Sequence, residues 1–131
     1  MASIFSKIVS GEIPCYKIAE TENCIAFLDV NPLAEGHVLV VPKKEVDYIF
    51  DLDDATFSEM HLFSKKVAKA IKKIINCKRI GVAVVGLEVP HAHIHLIPLH
   101  HDAINFSQPK LKVSNAELEE VGMRIAEAYN A

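Results

Sequence analysis

The spacing of apolar residues changes several times along the chain, and each change predicts an element. Residues 3–9 predict a short helix stopped by Gly11, with Pro14 confirming the exit. Three strand-like stretches follow: 15–19 with weak alternation, 24–29 ending at the turn pair Asn31-Pro32, and β-branched 37–41 closed by Pro42. From 54 to 75 the period becomes helical. Phe57, Met60, Ser64, Val67, Ile71 and Ile74 form one stripe, and Lys65, Lys66, Lys69, Lys72 and Lys73 occupy the rest. The lysines read as a solvated face whose aliphatic stems cover apolar edges. Residues 79–85 and 91–98 predict two further strands. A polar loop over 100–113 then leads to a last helix, opened by a Ser114/Glu117 capping box and lined inside by Leu118, Val121, Ile125 and Ala128. Strands gathered around one long helix predict an α+β domain with a mostly antiparallel sheet. No repeat or linker divides residues 1–131, which read as a single domain.

Composition narrows the classes. Of 131 residues half are hydrophobic, and 14 Lys+Arg stand against 17 Asp+Glu for a net charge of −3. That sign argues against a protein held on nucleic-acid backbones, and the apolar content argues against disorder. The longest stretch without a polar side chain, 80–87, is too short to span a bilayer, so no membrane partner is expected. The first residues lack a basic region followed by an apolar core. Cys15, Cys24 and Cys77 form no C-x-x-C pair and read as reduced thiols of a cytoplasmic protein.

Histidine changes the picture. Seven are present, and three alternate within five positions, in Pro90-His91-Ala92-His93-Ile94-His95-Leu96-Ile97-Pro98. On a strand, His91, His93 and His95 share one face while Ala92, Ile94 and Leu96 share the other. At about 3.4 Å per residue the row spans about 14 Å, the scale of a phosphate with a nucleoside on one side and a leaving group on the other. One such histidine is ordinary core. Three on one face are not, because each needs hydrogen-bond partners and a costly neutral state. Two chemical readings stand. The row holds a transition metal, completed by a residue such as His37, Glu45, Cys24 or His100. Alternatively, the imidazoles act directly as nucleophile, proton donor and phosphate ligand.

The row from His91 to Ile97 resembles the signature of the histidine triad (HIT) nucleotide-binding proteins. Residues 3–14, 24–32 and 36–44 resemble three further blocks of that family in the same order, so the likeness covers about 3–98. It implies a five-stranded antiparallel sheet with a long helix, paired as a homodimer that extends the sheet. It also implies hydrolysis or transfer at the α-phosphate of purine nucleoside phosphoramidates or related conjugates, without a cofactor. On this resemblance His93 attacks phosphorus and carries a transient nucleotidyl group, while His91 and His95 orient it, contact phosphate oxygens and shuttle the leaving-group proton. Asp29 would accept from the ribose hydroxyls, and Ile4, Phe5, Ile8, Ile13, Phe27 and Val30 would wall the base pocket. The apolar positions also read as ordinary core, and Asp29 as a cap beside a turn.

The chain departs from the pattern in two places. Many bacterial relatives carry cysteines where Ser3 and Ser6 stand and a histidine at Glu45, and these help bind a structural zinc. Their joint replacement predicts no structural metal here. Leu87 and Glu88 stand where relatives offer a glutamine and a hydroxyl to the phosphate and leaving group. That loss motivates an alternative, a nucleotide-binding module with little turnover. A metal-dependent hydrolase using the row and a histidine phosphoryl carrier are the others.

Overall fold

The structure, a computed structural model, describes residues 2–131. Ser3 caps α1 (Ile4–Val9) by accepting from the Ser6 N–H. Strands β1 (Lys17–Glu20), β2 (Cys24–Leu28) and β3 (Val38–Pro42) follow, then a 3-10 turn at Ile49–Asp51. The long helix α2 (Asp54–Ile74) starts at Asp53, whose carboxylate accepts from the Thr56 N–H. Strands β4 (Arg79–Ala83) and β5 (Ile94–Leu99) complete a sheet ordered β1-β2-β3-β5-β4, antiparallel at every pairing. Ser114 opens α3 (Asn115–Asn130), accepting from the Glu117 N–H and donating to its carboxylate, so the expected capping pair is present.

Strand alternation divides the side chains between two layers. Cys24, Ala26, Leu28, Val38, Val40, Ile94 and Leu96 pack on Met60, Phe63, Val67 and Ile71 of α2 and on Leu118 and Ile125 of α3. Ile25, Phe27, Leu39 and Val41 face the other way and pack on Phe5 of α1. The buried stripe of α2 is wider than its period predicts, because Phe63 and Ala70 are also buried between sheet and α3. Ser64 tolerates burial by donating its hydroxyl to the Met60 carbonyl at 2.8 Å.

Two strand boundaries differ from the sequence expectation. β4 stops at Ala83, leaving Val84 and Val85 exposed. β5 starts at Ile94 rather than at 91. Continuing its register with β3 would set Ala92 opposite Pro42, which has no N–H to give to a ladder. The Ala92 N–H turns instead to the Val46 carbonyl at 2.7 Å. No helix among the described residues is long and apolar enough to cross a membrane.

Candidate active site

The end of the β3–β5 ladder before Pro42 prepares the first histidine. The Pro42 carbonyl lies 2.7 Å from His91 Nε2, and since a carbonyl only accepts, that nitrogen carries the proton. Nδ1 of the neutral ring then accepts from the Ser3 hydroxyl at 2.8 Å. His91 is fully buried, and burial pushes its pKa below the ordinary 6.5. Glu45 closes the arrangement, its Oε1 accepting from the Ser3 N–H at 2.6 Å and from the Ser6 hydroxyl at 2.7 Å. The Ser6 hydroxyl and Ser3 amide hold the Glu45 carboxyl down at about 2. Ser3, Ser6, Glu45 and His91 therefore bond to one another, with hydroxyls where a zinc site would offer thiolates. This donor set does not fit zinc.

His93 follows from His91. Its Nδ1–H donates to the His91 carbonyl at 2.8 Å, which leaves the Nε2 lone pair available. The Phe5 ring stands edge-on to it with centroids 5.0 Å apart, and reaches His91 at 5.8 Å. The rings of His93 and His95 are 4.9 Å apart.

The third histidine depends on another strand. Gly36, at φ +86°, turns the chain into β3; a Cβ there would come within 2.7 Å of Ile75 Cγ1. His37 follows directly and is buried on the histidine side of the sheet. The Leu33 N–H donates to His37 Nδ1 at 3.0 Å, so the neutral ring carries its proton on Nε2. That Nε2–H lies 3.0 Å from His95 Nδ1 and donates to it, which leaves His95 with a proton on Nε2. Burial, helped by the neighbouring imidazole, pushes His37 down to about 3. Burial with His93 pushes His95 down to about 4. Both rings are neutral near pH 7.

Asp29 stands at the end of β2. Its Oδ2 is 3.6 Å from His37 Nε2 and its Oδ1 accepts from the Asn31 N–H at 2.9 Å, an Asx turn. Burial raises its pKa, and Asn31 and Lys110 oppose the rise. Asp29, His37 and His95 offer three donor atoms within 4.8 Å of one another. Coordination through His37 Nε2 would move its proton to Nδ1, against the Leu33 N–H. The trio does not fit a metal, and Cys24 and His100, also candidates to complete one, lie in the helix-side core and at the surface.

Of the expected pocket residues, Phe5, Ile8 and Phe27 gather beside the row with Leu39 and Val41. Ile4 and Val30 are half exposed and Ile13 lies outside that cluster. Leu87 is 88% exposed and offers the site nothing. Reading the sequence missed His37 as the partner of His95, and missed Phe106, whose ring lies 4.8 Å from His95. The His37 pairing carried a weak signal, a histidine two positions before Leu39 in an alternating strand. Phe106 carried none.

A family model described as the HIT domain matches residues 10–102. The adenosine 5'-monophosphoramidase of Schizosaccharomyces pombe is 35% identical over 129 residues, covering 96% of this chain and 97% of that protein. The adenosine 5'-monophosphoramidase of Saccharomyces cerevisiae is 40% identical over 98 residues, covering 74% and 62%. Among solved structures, a HIT-like protein of Bartonella henselae superposes with a TM-score of 0.85 at 33% identity, covering 96% of this chain and 95% of that one. A zinc-bound histidine triad family protein of Mycobacterium smegmatis superposes with a TM-score of 0.82 at 27% identity, covering 99% and 94%.

Proposed function

The chain belongs to the HIT family, and on that premise we propose that it hydrolyses purine nucleoside phosphoramidates, or related nucleotidyl conjugates, through a covalent nucleotidyl-His93. One observation carries the reading. The His93 Nδ1–H is engaged by the His91 carbonyl, so Nε2 is presented as a nucleophile without any further proton transfer. The names of the two yeast relatives support the substrate class.

The steps follow from the ring states. His93 Nε2 bonds to the α-phosphorus as the bond from phosphorus to the leaving nitrogen breaks. That nitrogen departs as an amine, taking its added proton from solvent while the His95 Nε2–H donates a hydrogen bond to the reacting phosphoryl group. Water then attacks phosphorus, the monophosphate leaves His93, and the proton lost by the water returns to solvent. The cation formed on the His93 ring is stabilised by the His91 carbonyl at its Nδ1–H. Asp29 is proposed to accept from the ribose, and Phe5, Ile8 and Phe27 to pack the base, with Ile4, Ile13 and Val30 at its rim.

His93→Asn should abolish turnover of an adenosine phosphoramidate and leave nucleotide affinity within about threefold, since the binding contacts lie elsewhere. Substantial activity in His93→Asn sinks the mechanism. Tight nucleotide binding without wild-type turnover leaves a binding module instead. We also propose a homodimer through the outer edge of β4, which no other strand among the described residues covers and where Val82 is 60% exposed. Sedimentation at tens of micromolar should give twice the chain mass; a monomer rejects the pairing. Three unpaired thiols fit a reducing compartment, so the cytoplasm is the proposed location.

A further inference from the structure

The loop over 100–113 has no part in the chemistry above, yet it ends against the site. It is laid across the turn after β2: the Leu111 N–H donates to the Pro32 carbonyl at 2.9 Å, and Gln108 Nε2 reaches the Leu33 carbonyl at 3.4 Å. This folding seats Phe106 edge-on against His95. Lys110 Nζ then donates to the Phe106 carbonyl at 3.1 Å and lies 5.6 Å from the centre of the Phe106 ring. Among the described residues Lys110 makes no ion pair. Its charge acts on Asp29, His37 and His95 together, where the rings themselves are neutral.

The two ends of the row differ accordingly. Phe5 and Phe27 make the His91–His93 end apolar, which suits a base. The His95 end holds Lys110, which makes no ion pair among the described residues, with the Asp29 carboxylate beside the His37 and His95 rings. If the leaving group departs past His95, as the hydrolase reading has it, it passes Lys110.

We propose that Lys110, positioned by Phe106, binds negative charge that the substrate carries beyond its α-phosphate, so that the 100–113 loop selects conjugates with an anionic leaving group. A second phosphate and a carboxylate share this chemistry. The inference rests on the hydrolase reading for the side on which the group leaves, but not for the binding itself.

The experiment uses the full chain as wild type, Lys110→Met and, as a control from the same loop, Lys112→Met. Adenosine 5'-monophosphate and 5'-diphosphate are titrated at equilibrium. Turnover is then measured on two adenosine phosphoramidates, one with an uncharged leaving amine and one whose amine bears a carboxylate. Lys110→Met should lower the diphosphate-to-monophosphate affinity ratio about tenfold, as for an exposed charge-assisted contact. The carboxylate-to-uncharged ratio of kcat/KM should fall about as far, and added salt should shrink both ratios in wild type. Lys112→Met should leave both ratios unchanged. An unchanged affinity ratio in Lys110→Met overturns the inference, whether or not the protein turns over. A Lys110-dependent ratio in a protein without turnover supports it and rejects the hydrolase instead.

Discussion

His91 and His95 occupy opposite ends of one row and are built on opposite plans. His91 has both nitrogens engaged, by a backbone carbonyl and a serine that also answers to Glu45. Its partners come from the N-cap of α1 and from the last residue of β3, so its ring is part of what holds those segments together. His95 has one side-chain partner, the buried imidazole of His37, and its cover is a single aromatic from a long loop. The first end is fixed by structure so that its carbonyl can orient the nucleophile. The second end keeps an N–H uncommitted and a cover that contributes few hydrogen bonds. Reactivity and rigidity are thus separated between the two ends of the row.

The strongest way to break this contrast is to remove each ring. His91→Asn should lose on the order of 2–4 kcal/mol of folding stability, because a fully buried ring and two hydrogen bonds go with it. His95→Asn should lose about 1 kcal/mol but about a hundredfold in kcat/KM. Denaturant midpoints and steady-state rates on the same preparations decide it. If His95→Asn is the less stable variant and His91→Asn the slower one, the two plans have been assigned backwards.

Acid sharpens the same contrast with a smaller effect. His37 and His95 hold pKa values of about 3 and about 4 in the fold against 6.5 in an exposed chain. Between those limits the unfolded chain binds more protons, so stability is full above pH 6.5 and falls as pH drops toward 4. Glu20 and Glu45 titrate near 2, so their own losses come only below pH 4.5. Thermal midpoints should therefore decline from pH 6.5 to 4.5, and less steeply in His37→Gln. A flat wild-type profile over that window contradicts neutral buried imidazoles.

Much of the fold was legible because helices and turns announce themselves locally. Ser114/Glu117, the stripe of α2 and the stop at Pro42 all act within a few residues. β2 and β3 hid their alternation, since both of their faces are covered and every residue is buried. The start of β5 was misread because its limit comes from Pro42 on the neighbouring strand rather than from its own residues. The triad itself was visible as a period of two, and the HIT likeness placed it within a known pattern. Ser3 and Ser6 were legible only as absences of cysteine; their bonds to Glu45 and His91 span 39 to 88 residues. Phe106 reaches His95 by tertiary folding alone, and His37 was signalled only weakly by its place just before β3.

The phenyl rings along the row have a spectroscopic consequence. Phe5 stands edge-on to His91 and His93, and Phe106 to His95. Each imidazole therefore sits in the ring current of a phenyl group, and the resulting displacement of its carbon-bound proton resonances fades steeply with separation. The chain has no tryptophan to blur these signals. Resonances of His91 and His93 report on the packing of α1, while among phenyl rings that of His95 reports on Phe106 of the loop. Movement at one end of the row can thus be followed by proton NMR without an attached label, and told apart from movement at the other.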